Sequence, residues 1–275
     1  MNVVFIGAHP DDAEILAGGT LLKWAQAGFD VTAVSVTNGC AGHYSEGGRA
    51  LAQRREKEMA RAAAIGGYRQ RMLTVRDGEL TPALELRHTI VRLMRELEAQ
   101  IVVTHRPWDY HPDHRYAGQL VQDAAFTVTV PHICSDMPRL TENPAILFVM
   151  DPFTRPAPFS PDVAVDVGDV METKWRLVDA MESQVYEWLP WLAGTLDDVP
   201  IDAEARIEWL QKTWDPWFAD CTERYRGGLQ RWYGAAAEHT VYAEYFECCE
   251  YGRQPSPEEW RTLLPFLPES PGGQV

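Results

Sequence analysis

The chain has 275 residues, enough for one large α/β domain or one domain with an appended lobe. Hydrophobic residues make up 45% of it, which excludes global disorder, and no apolar run reaches the roughly eighteen residues of a membrane-spanning helix. A balance of 25 Lys and Arg against 40 Asp and Glu leaves a formal charge of −15, so nucleic acid and anionic lipid are not expected partners.

The opening, Met1–Gly7, lacks the basic start and small-residue cleavage site of a signal peptide and reads as a buried strand. The five cysteines are odd in number and form no CxxC pair. They read as reduced thiols, and a cytoplasmic location is expected.

In chain order, Val3–Gly7 is a strand, Glu14–Gly28 a helix and Val31–Thr37 a second strand. A helix over Ala50–Gly66 stops at Gly66-Gly67. Met72–Val75 is the third strand, Ala83–Ala99 a helix, Ile101–Thr104 the fourth strand, His114–Thr129 a helix and Ile146–Met150 the fifth strand. This alternation predicts an α/β fold: a Rossmann-like, doubly wound, mostly parallel sheet with helices on both faces. Residues 151–161 carry Pro152, Pro156, Pro158 and Pro161 and form a loop. Asp162–Val167 alternates like a half-exposed strand, Gly168–Trp191 and Ala203–Arg226 read as helices, and Tyr242–Cys248 as a late strand. The tail from Pro255 to Val275 is rich in proline and glutamate, and its end is expected to fray. The expected organisation is a catalytic core over 1–170 and a helical, Trp-rich extension over 171–275 packed on it as one integrated domain. Eight of the ten tryptophans lie between Trp175 and Trp260, and packing accounts for most of them.

Two segments carry chemistry. Ala8-His9-Pro10-Asp11-Asp12-Ala13-Glu14 follows the first strand, and Asp109-Tyr110-His111-Pro112-Asp113-His114 follows the fourth. Ligands bind beyond the carboxyl ends of such strands, where the strand order reverses. If strands one and four are neighbours there, both segments converge on one crevice. A catalytic zinc takes three protein ligands and keeps one position open. His9, Asp12 and one histidine of the second segment meet that need. A second carboxylate can then take the proton of the attacking water, and a second histidine can protonate the leaving nitrogen or stabilise the oxyanion.

Together the two segments resemble the LmbE-like, PIG-L family of zinc-dependent N-deacetylases, whose marks are an AHPDD sequence followed closely by Glu and an HPDH sequence. The resemblance implies Zn2+ held by His9, Asp12 and His114, with Asp11 as general base. It implies His111 as acid or oxyanion partner, steadied by Asp113. Arg55, in Arg55-Glu56-Lys57-Glu58, is then a substrate contact. The implied activity is removal of an N-acetyl group from an N-acetylglucosamine-type amino sugar or glycoconjugate. A homo-oligomer is expected, since relatives often assemble.

Other features weigh less. His105 is expected to orient a ligand, and His43 to touch substrate from the loop after strand two. Gly18-Gly19 is read as a close-packing site in the first helix, and the missing GxGxxG argues against a dinucleotide. Three alternatives stay open: an amidase on a related glycoconjugate, a non-haem iron oxygenase using the same donor set, and a non-catalytic sugar-binding protein.

Overall fold

A computed structural model describes residues 1–268. The strands are β1 (Asn2–Gly7), β2 (Asp30–Thr37), β3 (Arg69–Val75), β4 (Ile101–Thr104), β5 (Ala145–Val149), β6 (Val163–Asp166) and β7 (Ala243–Cys248). They form one sheet in the order β3-β2-β1-β4-β5-β7-β6. The first five are parallel, and β7 runs antiparallel to both β5 and β6. The chain winds outward from β1 to β3, then returns to place β4 on the other side of β1. The strand order therefore reverses between β1 and β4.

The helices are α1 (Asp12–Gln26), α2 (Gly48–Gly66), α3 (Leu84–Glu96), α4 (Pro112–Thr127), α5 (Met171–Asp179), α6 (Leu189–Ala193), α7 (Ala203–Arg224), α8 (Arg226–Tyr233) and α9 (Pro257–Leu263). Successive strand residues point to opposite faces, and here both faces are covered, so β1 is apolar throughout. Val3 and Phe5 join the core beneath α1 and α5, while Val4 and Ile6 join the core beneath α3 and α4.

Three expectations need correction. The strand at Asp162–Val167 is not half-exposed, since Val163, Ala164 and Val165 are all buried. Val163 and Val165 enter the main core, and α8 covers the opposite face, where Ala164 meets Leu229. The predicted helix over Gly168–Trp191 is broken. After α5 the chain turns, and Ser183–Trp188 winds as a π-helix before α6. Glu58 of α2 holds this break by accepting from the Ser183 backbone N–H at 3.0 Å and from its hydroxyl at 2.6 Å. Finally, the C-terminal part is not only helical. It supplies β7, which lies between β5 and β6 within the sheet. Gly18-Gly19 does serve packing: a Cβ on Gly19 would lie 2.6 Å from Val167 Cγ1.

Candidate metal and hydrolytic site

β1 and β4 pair in register, with Ile6 opposite Thr104. The segments that follow them therefore leave the sheet side by side at its carboxyl edge. Asp11 and Asp12 stand at the start of α1, while His111 caps α4 and Pro112 occupies its first turn, where the missing N–H costs nothing. Gly118 lets α4 approach this edge, since a Cβ there would sit 2.3 Å from the His105 carbonyl oxygen.

The Asp12 carboxylate is divided between two tasks. Its Oδ2 accepts from the backbone N–H groups of Ala8 at 2.8 Å and His9 at 2.7 Å, and meets His105 Nε2 at 2.9 Å. Its Oδ1 faces His114 Nε2 at 3.5 Å. His9 Nδ1 lies 3.1 Å from His114 Nε2 and 3.9 Å from Asp12 Oδ2. Tetrahedral zinc with bonds of about 2.0–2.2 Å separates its ligand atoms by roughly 3.3–3.6 Å. His114 Nε2 stands close to that spacing from His9 Nδ1, at 3.1 Å, and from Asp12 Oδ1, at 3.5 Å.

The far side of each imidazole strengthens the case. His9 Nε2 faces Asp77 Oδ1 at 3.3 Å and Asp113 Oδ2 at 3.4 Å, and His114 Nδ1 faces Asp109 Oδ2 at 3.2 Å. These distances suit ion pairing, although the angles are too poor for well-formed hydrogen bonds. The carboxylates favour N–H on those outer atoms, so the lone pairs of His9 Nδ1 and His114 Nε2 turn toward each other. Two lone pairs at 3.1 Å require a proton or a cation between them. The local field favours positive charge there. Burial lowers the His9 pKa, but Asp113, Asp77, Asp12 and Asp11 together raise it to about 10. Burial opposes ionisation of Asp12, yet His105, His114 and His9 hold its carboxyl well below the usual carboxylate range.

Asp11 differs from its neighbour. It is buried, and burial together with the Asp12 charge pushes its pKa up, against the pull of Arg55, His9 and Gln184. Gln184 Nε2 donates to Asp11 Oδ2, and Gln184 Oε1 accepts from Arg55. Arginine can only donate, which fixes the amide orientation and makes that Asp11 oxygen an acceptor. His111 Nδ1 accepts from the Asp113 backbone N–H at 3.2 Å, so its Nε2 carries the proton in the neutral ring. Burial and the charges of His9 and His114 lower the His111 pKa and favour that neutral form.

His9, Asp11, Asp12, Arg55, His111 and His114 all line one cavity of about 1050 Å³. His105 also lies there and does orient a candidate ligand through Asp12. Asp113 corrects an expectation: its carboxylate turns to His9 and to the Gly78 N–H at 2.7 Å, and only its backbone reaches His111. His43 corrects another. It does not line the cavity; its ring stacks on Tyr44 and pairs with Glu187 at 2.8 Å. Arg55 lines the cavity, but one of its terminal nitrogens is tied to the Gly42 carbonyl oxygen at 2.6 Å and to Gln184. Glu14, the acid that ends the first motif, faces away and accepts from the Tyr68 hydroxyl at 2.7 Å.

Sequence reasoning misses Asp77 and Gln184. Asp77 had a signal, an acid followed by glycine just past the end of β3. Gln184 had none, since only the π-helix of the C-terminal part carries it to Asp11. Packing does not account for all the tryptophans either, because Trp188, Trp214 and Trp217 line the cavity.

Comparison with known proteins gives the family and the fold. The family model for GlcNAc-PI de-N-acetylase, PIG-L, matches residues 4–125. Diacetylchitobiose deacetylase of Thermococcus kodakarensis is 36% identical over 204 residues, covering 70% of this chain and 74% of that protein. The chain belongs to the PIG-L family. With it the chain joins a group of deacetylases, which cleave amide bonds. N,N'-diacetylchitobiose deacetylase from Pyrococcus horikoshii superposes with a TM-score of 0.71 at 25% identity, over 94% of this chain and 88% of that one. The 4-carboxy-2-hydroxymuconate hydratase GalB of Pseudomonas putida superposes at 0.69 with 18% identity, over 93% and 99%. A hydratase on the same fold means that the reaction has to be argued from the site. Among the described residues, no helix is long and apolar enough to cross a membrane.

Proposed function

We propose that this protein hydrolyses the acetamide of an N-acetylglucosamine-type sugar or glycoconjugate, with zinc held by His9, Asp12 and His114. One observation carries the reading: His114 Nε2 lies near ligand spacing from both His9 Nδ1 and Asp12 Oδ1, in the same cavity as the buried Asp11 carboxylate and the His111 ring. Two imidazoles and one carboxylate suit zinc, and the carboxylates behind His9 and His114 supply the usual second layer of support. When bound, the cation would lower the pKa of a water to ~7 and polarise the acetyl carbonyl.

The chain's own residues account for the proton traffic. Asp11 takes the proton of the attacking water on the oxygen that Gln184 leaves free. Its raised affinity for a proton suits that task. His111 presents Nε2–H to the oxyanion and keeps that proton, while the proton that Asp11 takes from the water passes on to the leaving amine. Asp113 serves this step through its backbone N–H, which donates to His111 Nδ1, while its carboxylate faces His9 Nε2. Arg55 steadies Gln184 and adds positive charge near Asp11.

The test is acetate release from a panel of N-acetylated amino sugars, with metal analysis of the anaerobically purified protein. Zinc at one equivalent per chain with stoichiometric acetate supports the reading. Bound iron with oxygen uptake and no acetate would replace it with an oxygenase, which uses the same donor set.

A further inference from the structure

Gln184 reaches Asp11 only while the turn Ser183–Trp188 is held in place, and a polar stripe on one helix grips that turn. α2 presents Arg54, Glu58 and Arg61, spaced four and three apart and so on one face. Arg61 Nη2 donates to the Ala180 carbonyl oxygen at 2.6 Å, and Arg61 Nη1 pairs with Glu182 at 2.8 Å. Glu58 accepts from Ser183 where the π-helix starts. Arg54 grips its far end: Nη1 donates to Glu187 Oε2 at 2.8 Å, and Nη2 donates to Oε1. Gln184 lies between the two clamped residues, Ser183 and Glu187.

Glu187 has a further partner in the loop after β2. His43 Nδ1 accepts from the backbone N–H groups of Ser45 at 3.3 Å and Glu46 at 3.0 Å, so its Nε2 carries the proton and donates to Glu187 Oε2 at 2.8 Å. Three N–H groups therefore converge on one side chain. An ionised carboxylate accepts them all, whereas an amide would set its own NH2 against a donor. Arg54 holds the Glu187 carboxyl below the usual carboxylate range, against partial burial and with help from His43. The same loop supplies the Gly42 carbonyl oxygen that accepts from Arg55, which also donates to Gln184. Tyr44, next to His43, stacks on Trp191 at 5.6 Å, just past the π-helix. Glu187, Arg54 and His43 do not themselves line the cavity, so they reach the acetamide only through the residues they hold.

We propose that Glu187 is a positioning residue for the hydrolysis. By fastening the π-helix to α2 and to the loop after β2, it sets the Gln184 amide on Asp11 and leaves the other Asp11 oxygen aimed at the attacking water. The proposal rests on the deacetylase reading above and adds a residue that neither sequence motif contains.

The experiment is a double-mutant cycle with Gln184, reading kcat and KM for acetate release from the most rapidly cleaved sugar of the panel. Glu187→Gln keeps the size of the side chain but cannot accept all three donors. It is expected to lower kcat by about tenfold while KM changes by less than about twofold. Added to Gln184→Leu, it is expected to lower kcat no further, because the amide through which it acts is already gone. Arg54→Gln, at a half-buried position of α2, is the second variant should Glu187→Gln not fold. It is expected to lower kcat by about threefold or more, again with no further loss in Gln184→Leu. Urea denaturation accompanies each variant. Lost stability with kcat unchanged would overturn the proposal by making Glu187 a purely structural residue. Effects that multiply in the double variant would overturn it too. So would a change confined to KM, which would route the effect through Trp188, the neighbour that lines the cavity. In these three outcomes the unaltered protein still releases acetate and the deacetylase reading stands. No acetate from any sugar of the panel would instead end that reading and this inference with it.

Discussion

Asp11 and Asp12 are adjacent in sequence yet do different work because their surroundings differ. Asp12 receives two backbone N–H groups and is surrounded by three imidazoles, which keeps it ionised and ready to ligate. Asp11 sits in burial that its few partners do not fully offset. Asp11→Asn is therefore expected to lower kcat by about two to four orders of magnitude while the bound metal stays at its original stoichiometry. Acetate release and metal analysis on the same sample check this, and loss of the metal would place Asp11 among the ligands. Gln184 tests the same arrangement from the other side. Gln184→Leu keeps the volume but frees Asp11 and Arg55 from their shared amide. A drop of up to about a hundredfold in kcat with little change in KM is expected, since misplacing a reacting group by about an ångström costs that much. A change confined to KM would make Gln184 a substrate contact instead.

The strands, the helices between them and the two motifs were legible because each rests on local pattern. Continuous apolar runs mark buried parallel strands, and an acid or histidine just past a strand end marks the ligand edge. The departures all come from contacts distant in sequence. Asp162–Val167 reads as half-exposed because nothing local reveals that α8 covers its outer face. The π-helix depends on Glu58, more than a hundred residues upstream of Ser183. The turn of Asp113 toward His9 depends on the loop carrying Asp77 and Gly78. A buried ion pair shows the same logic in the framework. Lys174 of α5 and Glu244 of β7 are each 1% exposed and 2.7 Å apart, and Glu244 also accepts from the N–H groups of Gly19 and Thr20. Removing one partner strands the other charge, so Lys174→Met is expected to cost about 3–5 kcal/mol. Urea denaturation checks this, and Lys174→Met with Glu244→Gln together should recover part of the loss.

The site also links stability to metal binding. Asp11, Asp12, Asp77, Asp109 and Asp113 are gathered at one end of a chain whose net charge is already −15. Like charges held this close repel, and His9, His105, His114 and Arg55 offset part of that repulsion. A cation that binds the folded site and not the open chain adds stability by mass action, about 4 kcal/mol at roughly a thousand times its dissociation constant. Removing it with a chelator is therefore expected to abolish acetate release and lower Tm by on the order of 5–10 °C. Zinc should restore both. His114→Ala separates this effect from general loss of folding. It deletes one of the three ligands proposed above, at the cavity wall, so its Tm should no longer respond to chelator or zinc, while the chain remains folded by circular dichroism. A zinc-dependent Tm that survives in His114→Ala would mean that the ion sits elsewhere. The cluster of His9 with Asp77 and Asp113 would then be the next place to look.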